Sequence, residues 1–209
     1  MATSTDTALQ AALRFSRAHR QQAVEQLRQF LRFPSVSVQA QHASDVQLCG
    51  QWLAQQLRAS GMPRVYVVPT ARHPIVFAER IMSKEAPTVL IYGHYDVQPS
   101  GPESALDTPP FQPTLRGSYI HGRGASDDQG QLLTHVRAIQ AYLKTGRRLP
   151  INVKCVFEGE EEIGSPNLAT FIARHQRRLS ADAAVMSDTR MLGPNRPALT
   201  TSLRGALGF

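Results

Sequence analysis

Four short stretches of this sequence gather acids, and in one case an imidazole, in patterns that could hold a cation. The first is His94-Tyr95-Asp96-Val97-Gln98-Pro99. In extended chain, residues two apart point to the same side, so His94 and Asp96 can meet. A carboxylate that accepts one ring N–H leaves the other ring nitrogen free for a metal. The second is Gly122-Arg123-Gly124-Ala125-Ser126-Asp127-Asp128-Gln129-Gly130. One aspartate there has a plain reading as the cap of a following helix, whose dipole it complements. Two in succession are less readily explained that way. The third is Glu158-Gly159-Glu160-Glu161-Glu162-Ile163-Gly164-Ser165. It could be a solvated acidic run, but it abuts an apolar stretch. Like charges crowded there repel unless burial or a cation compensates. The fourth, Ser187-Asp188-Thr189, is weak alone.

The elements that must carry these groups follow from hydrophobic pattern. Residues 7–31 favour helix, with Leu9, Leu13, Val24, Leu27 and Leu31 at three- and four-residue spacings. A second helix carries Val46, Cys49, Leu53 and Leu57 on one face, with Ser44 as its expected N-cap and Gly61 as its C-terminal glycine. Strand-like runs follow at 64–68, 75–80 and 88–92, the last apolar on both faces as in a buried strand. A Pro- and Gly-rich loop is expected over 98–116. Then come helix 129–145, strand 151–157, helix 168–178 and strand 183–186. This alternation predicts an α/β fold with a mixed, largely parallel sheet flanked by helices. In such sheets sites form at the carboxyl ends of strands, and each of the four acidic stretches follows a strand or opens a helix. One edge would thus offer His, Asp, Glu and Asp. Nitrogen and carboxylate donors suit zinc, with manganese and cobalt as alternatives. A carboxylate can bridge two metals about 3.5–4 Å apart, and a further glutamate could activate a shared water.

The bulk properties agree with an ordinary globular protein. Of 209 residues, 42% are hydrophobic and 19% charged, enough for one domain with a substantial core. The absence of a long apolar run predicts no membrane span, and the polar first ten residues lack a signal-peptide pattern. A cytoplasmic location is the expectation. Cys49 and Cys155 are too few for a disulfide framework and read as core residues. The net charge of +7 raises nucleic acid as a partner. The basic residues are scattered, however, with no interleaved aromatics, so a solvated basic surface is expected and no nucleic-acid partner.

In order and spacing, residues 94–99, 122–130, 161–165 and 187–188 together resemble the co-catalytic zinc peptidases and deacylases. That family includes aminoacylase, carnosinase, glutamate carboxypeptidase and succinyl-diaminopimelate desuccinylase, and the dipeptidase branch is the nearest match. The resemblance implies two divalent ions and hydrolysis of an amide bond in a small peptide or an N-acyl amino acid. It implies His94 and Asp188 as ligands of one metal, Asp127 as the bridge between both, and Glu162 as a ligand of the second. It implies Asp96 as the acid that orients His94, and Glu161 as the general base. A cis peptide is implied at Asp127–Asp128. Gln129 stands where many relatives carry lysine. The resemblance also implies a final histidine ligand, which His19, His42, His73, His121, His135 and His175 do not match in context. Residues 1–198 then read as the first segment of the catalytic domain. Residues 199–209 resemble the entry to an inserted lid through which the full-length protein would form a homodimer. On this reading the 209 residues alone would be an inactive, metal-binding fragment.

Overall fold

The computed structural model describes residues 4–102, 107–146, 148–193, 196–202 and 205. Most of the expected crossover at 199–209 therefore lies outside the described residues. Two helices, α1 (Ser4–Ala18) and α2 (Arg20–Phe30), occupy the segment expected as one. The break is at His19, whose backbone leaves the helical region (φ −109°, ψ 21°). Its ring stacks on Phe15 and its Nδ1 lies 2.8 Å from the Phe15 carbonyl. A side chain that competes for a helix carbonyl in this way favours a bend, and both helices then lie along α4 (Gln129–Lys144).

Helix α3 (Ala43–Ser60) buries Val46, Cys49, Leu53, Ala54 and Leu57 against the sheet. It starts two residues earlier than expected, with His42 and not Ser44 at the N-cap. Ser44 lies inside it, and the first turn is braced by His42 Nδ1, 2.7 Å from Asp45 Oδ2. The far end matches the expectation: Gly61 adopts φ 103°, and Met62 N–H reaches back to the Leu57 carbonyl at 3.1 Å. That left-handed residue suits glycine because it has no Cβ to clash.

The sheet joins β1 (Arg64–Val68), β2 (Ile75–Arg80), β3 (Thr88–His94), β6 (Asn152–Glu158) and β7 (Ala183–Met186) in the order β1-β2-β6-β3-β7. Strands β6, β3 and β7 are mutually parallel, while β1/β2 and β2/β6 are antiparallel. The mixed sheet expected from the alternation is therefore present. Strand β6 is buried along its whole length, as its apolar run requires. Helices α3 and α4 cover one face with a continuous core that includes Phe30, Val76, Ile91, Leu132, Val136, Cys155 and Phe157. On the other, Phe77, Val156 and Ile75 pack with Phe171 and Leu179 of α5 (Leu168–Leu179). At the end of the expected loop and running past it sits a small hairpin, β4 (Thr114–Arg116) and β5 (Tyr119–His121), turning at Gly117 (φ 59°). Among the described residues no helix is long and apolar enough to cross a membrane.

Because β3, β6 and β7 run parallel, their carboxyl ends share one edge. The register pairs His94 directly with Glu158, and the first turn of α4 arrives beside them.

Candidate metal centre

His94 closes β3 and is fully buried. Its backbone N–H donates to Asp128 Oδ2 at 3.2 Å. The preceding residue is glycine for a local reason: a Cβ at Gly93 would lie 2.6 Å from that same oxygen. On the ring, Nδ1 lies 3.0 Å from the Asp96 carbonyl oxygen and 3.4 Å from the Asp96 carboxylate. A backbone carbonyl can only accept, so Nδ1 carries a proton, and Nε2 is the nitrogen that can give a cation its lone pair in exchange for a proton. That Nε2 is buried and has no hydrogen-bond partner. Around it stand Asp127 Oδ1 at 3.2 Å, Asp188 Oδ2 at 3.7 Å and Glu161 Oε2 at 4.0 Å.

The Asp96 carboxylate, itself buried, accepts the backbone N–H groups of Glu161 (3.2 Å) and Glu162 (3.1 Å). The residue that follows His94 by two thus reaches two loops at once. Its carbonyl faces the imidazole, and its side chain holds the short 3-10 turn Glu161–Ile163 that follows β6. Gln98 Nε2 donates to Glu162 Oε2 at 2.6 Å. Asp127 and Asp128 lead into α4, joined by a cis peptide. Asp188 follows β7, next to Ser187, whose hydroxyl pairs with His135 Nε2 on α4.

The electrostatics are those of a cavity crowded with acids, which the charge of His94 offsets only in part. Burial raises the carboxyls of Glu161 and Glu162, and neighbouring acids raise them further. Burial likewise pushes Asp128 up to about 7. Burial would lower His94, but its hydrogen bond to Asp96 and the charges of Asp96, Asp128 and Glu161 outweigh this and push it up to about 10. Each shift has a positive charge as its remedy. Among the described residues, two groups bring one donor atom per residue within 4.8 Å of each other: His94 with Asp127 and Asp188, and His94 with Glu161 and Glu162. The buried, unpartnered Nε2 and this nitrogen-plus-carboxylate donor set fit a divalent cation such as zinc, manganese or cobalt. His94 has one free nitrogen, so it can serve one cation at a time. Beside Asp127 a cleft of about 470 Å³ opens, lined in part by His121, Arg123, Ser126 and Asp107.

The structure thus brings His94, Asp96, Asp127, Glu161, Glu162 and Asp188 to one edge of the sheet. Sequence reasoning did not foresee the contacts of Asp128 and Gln98 with these groups, nor that of His135 with Ser187 beside Asp188. Asp128 was visible as half of an aspartate pair. His135 stands 52 residues from its partner Ser187, and no spacing signals that meeting.

The sequence profile of peptidase family M20/M25/M40 matches residues 90–199. Among curated proteins, the Cys-Gly metallodipeptidase DUG1 of Saccharomyces cerevisiae is 33% identical over 200 residues, covering 88% of this chain and 42% of the relative. The Beta-Ala-His dipeptidase of Mus musculus is 37% identical over 138 residues, covering 65% of this chain and 28% of the relative. Among solved structures, the dipeptidase Dug1p of Saccharomyces cerevisiae superposes with a TM-score of 0.81 at 29% identity, covering 88% of this chain and 42% of that one. The M20 family metallo-carboxypeptidase Sso-CP2 of Sulfolobus solfataricus superposes with a TM-score of 0.75 at 35% identity, covering 83% and 38%. The chain spans less than half the length of these relatives.

Proposed function

This chain belongs to peptidase family M20/M25/M40, and from that premise we propose that the full-length protein hydrolyses the peptide bond of small peptides as a metal-dependent dipeptidase. The observation that carries the proposal is the buried, unpartnered Nε2 of His94 facing Asp127, Asp188 and Glu161. His94, Asp127 and Asp188 would hold one divalent ion. Asp127 and Glu162 would contribute to a second, whose remaining nitrogen donor would come from sequence outside these residues. Zinc is the first choice for this donor set. When bound, the ions would supply Lewis acidity and lower the pKa of a water at neutral pH. Glu161 takes the proton of the attacking water and returns it to the leaving amine nitrogen. Burial raises its carboxyl, which brings a general base nearer the working pH and makes it a better acid on the return step. Asp96 orients the imidazole and the turn that bears Glu161.

The relatives at a third identity or more named as dipeptidases support this substrate class. The likeness to a metallo-carboxypeptidase supports a second reading, a carboxypeptidase or N-acyl-amino-acid deacylase of the same family. Rates on a dipeptide panel against N-acyl amino acids separate the two. We further propose that residues 1–198 form the first segment of the catalytic domain, that 199–209 lead toward a lid that mediates dimerisation, and that the 209 residues alone are inactive. The direct test is Glu161→Gln in the full-length protein. Metal content measured by elemental analysis should stay near wild type while turnover disappears. Loss of metal would make Glu161 a ligand instead of the base.

A further inference from the structure

Glu160, Glu161 and Glu162 are alike in sequence, yet their surroundings differ sharply. Glu161 and Glu162 are part-exposed at the metal centre. Glu160 is 2% exposed, and its carboxylate is engaged elsewhere. Oε1 accepts from the His73 backbone N–H (2.7 Å), the Thr70 hydroxyl (3.2 Å) and Asn167 Nδ2 (3.0 Å). Oε2 accepts from Asn167 Nδ2 (2.8 Å) and the Asn167 backbone N–H (3.3 Å). These donors are neutral, and they come from the loop before β2 and from the residue that precedes α5. The backbone carbonyl of Glu160 meanwhile accepts the N–H of Ile163 (3.2 Å) and of Ser165 (2.8 Å). One residue therefore closes the turn from the inside through its carbonyl and ties its exit to the rest of the fold through its side chain. The turn between those anchors is the one that presents Glu161 and Glu162.

We infer that Glu160 is a positioning residue for the metal centre: its carboxylate and carbonyl staple the turn that carries Glu161 and Glu162. This rests on the functional reading above for the roles of those two residues. A carboxylate surrounded by donors needs both oxygens as acceptors. An amide in its place turns one acceptor into a donor facing Asn167 or His73, and a buried donor left facing a donor loses its hydrogen bond. The turn would then relax. Small displacements of a general base or of a group that supports a metal cost one to two orders of magnitude.

The test compares Glu160→Gln with the double variant Glu160→Gln/Asn167→Asp in the full-length protein. In the double variant the introduced amide donates to the introduced carboxylate, so the polarity of the pair is exchanged and its net charge kept. Hydrolysis of Cys-Gly, cobalt(II) affinity from its visible absorption, and the thermal midpoint are measured for each. Glu160→Gln should lower kcat by about 10- to 100-fold with KM within about twofold, and weaken cobalt binding by about tenfold or more. The double variant should recover most of both. Wild-type kcat and cobalt affinity in Glu160→Gln would overturn the inference. So would a loss that follows the thermal midpoint and is not recovered in the double variant, since that describes a residue serving stability alone. Glu161→Gln runs alongside. If the wild-type protein does not cleave dipeptides, or if Glu161→Gln does, the functional reading fails, and the cobalt series still decides the role of Glu160.

Discussion

Asp96→Asn separates two jobs that one carboxylate could have. The side chain can serve the imidazole, from which its Oδ1 is 3.4 Å away, or the turn that bears Glu161 and Glu162, whose N–H groups it accepts at 3.2 and 3.1 Å. The distances favour the second, because Nδ1 already has the Asp96 carbonyl at 3.0 Å. Asparagine keeps one oxygen and the shape. Whichever way the amide sits, its NH₂ group faces one of the two backbone N–H donors, so one buried acceptor becomes a donor. Leaving such a donor unpaired costs about 1–3 kcal/mol, toward the upper end here because the original acceptor is charged. Urea unfolding of the metal-free 209-residue chain should show a loss of that size. Zinc affinity, measured by competition with a chelating dye, should fall by about tenfold or more, since 1.4 kcal/mol is a factor of ten. If stability falls by less than about 0.5 kcal/mol while zinc affinity still drops, Asp96 acts on the ring and not on the turn. If neither changes, Asp96 holds neither the imidazole nor the turn, and the reasoning from its contacts is refuted.

The remaining expectations concern pH and packing. Asp128 is raised from 3.8 to about 7 and His94 from 6.5 to about 10, so in both cases the folded, metal-free state binds its proton more tightly than the unfolded chain does. Their contribution to stability is full at acid pH. The Asp128 part is lost as pH rises toward about 7, and the His94 part between about 6.5 and 10. The thermal midpoint of metal-free protein should decline across that window, and the rise produced by saturating zinc should grow with pH, since the metal replaces protons. A zinc effect that shrinks with rising pH would contradict this. In the core, Gly159→Ala would put a methyl 2.8 Å from Cζ and Oη of Tyr95. That ring is fully buried, backed by Gly50 on another side and held by its hydroxyl donating to the Pro74 carbonyl at 2.5 Å. Overpacking there should cost about 1–3 kcal/mol in a urea midpoint. A change near zero would mean the ring can shift without penalty.

The parts of this fold legible in the sequence are those governed by local pattern. Apolar runs bounded by turn residues located β1, β2 and β7 at their observed limits, and Gly61 marked the end of α3. The site was legible as a set of residue types because parallel strands deliver their carboxyl ends to one edge, so each strand could be asked separately what it brings there. The break at His19 and the hairpin around Gly117 were not legible. The first depends on how two helices fit α4, and the second rests on strands of three residues among prolines, too short for a period to show. Most telling are the three glutamates 160–162. Their types are identical and their spacing is one, so nothing local says which of them face a cation and which is buried. That is decided by groups far away in the chain: Asp96 takes the N–H groups of Glu161 and Glu162, while His73, Thr70 and Asn167 take the carboxylate of Glu160. Carboxylates in a row identify a place where charge must be compensated. Which of them a cation compensates, and which are compensated by N–H and O–H groups, depends on where the donors are, and in this fold they crowd around Glu160, while Gln98 reaches Glu162.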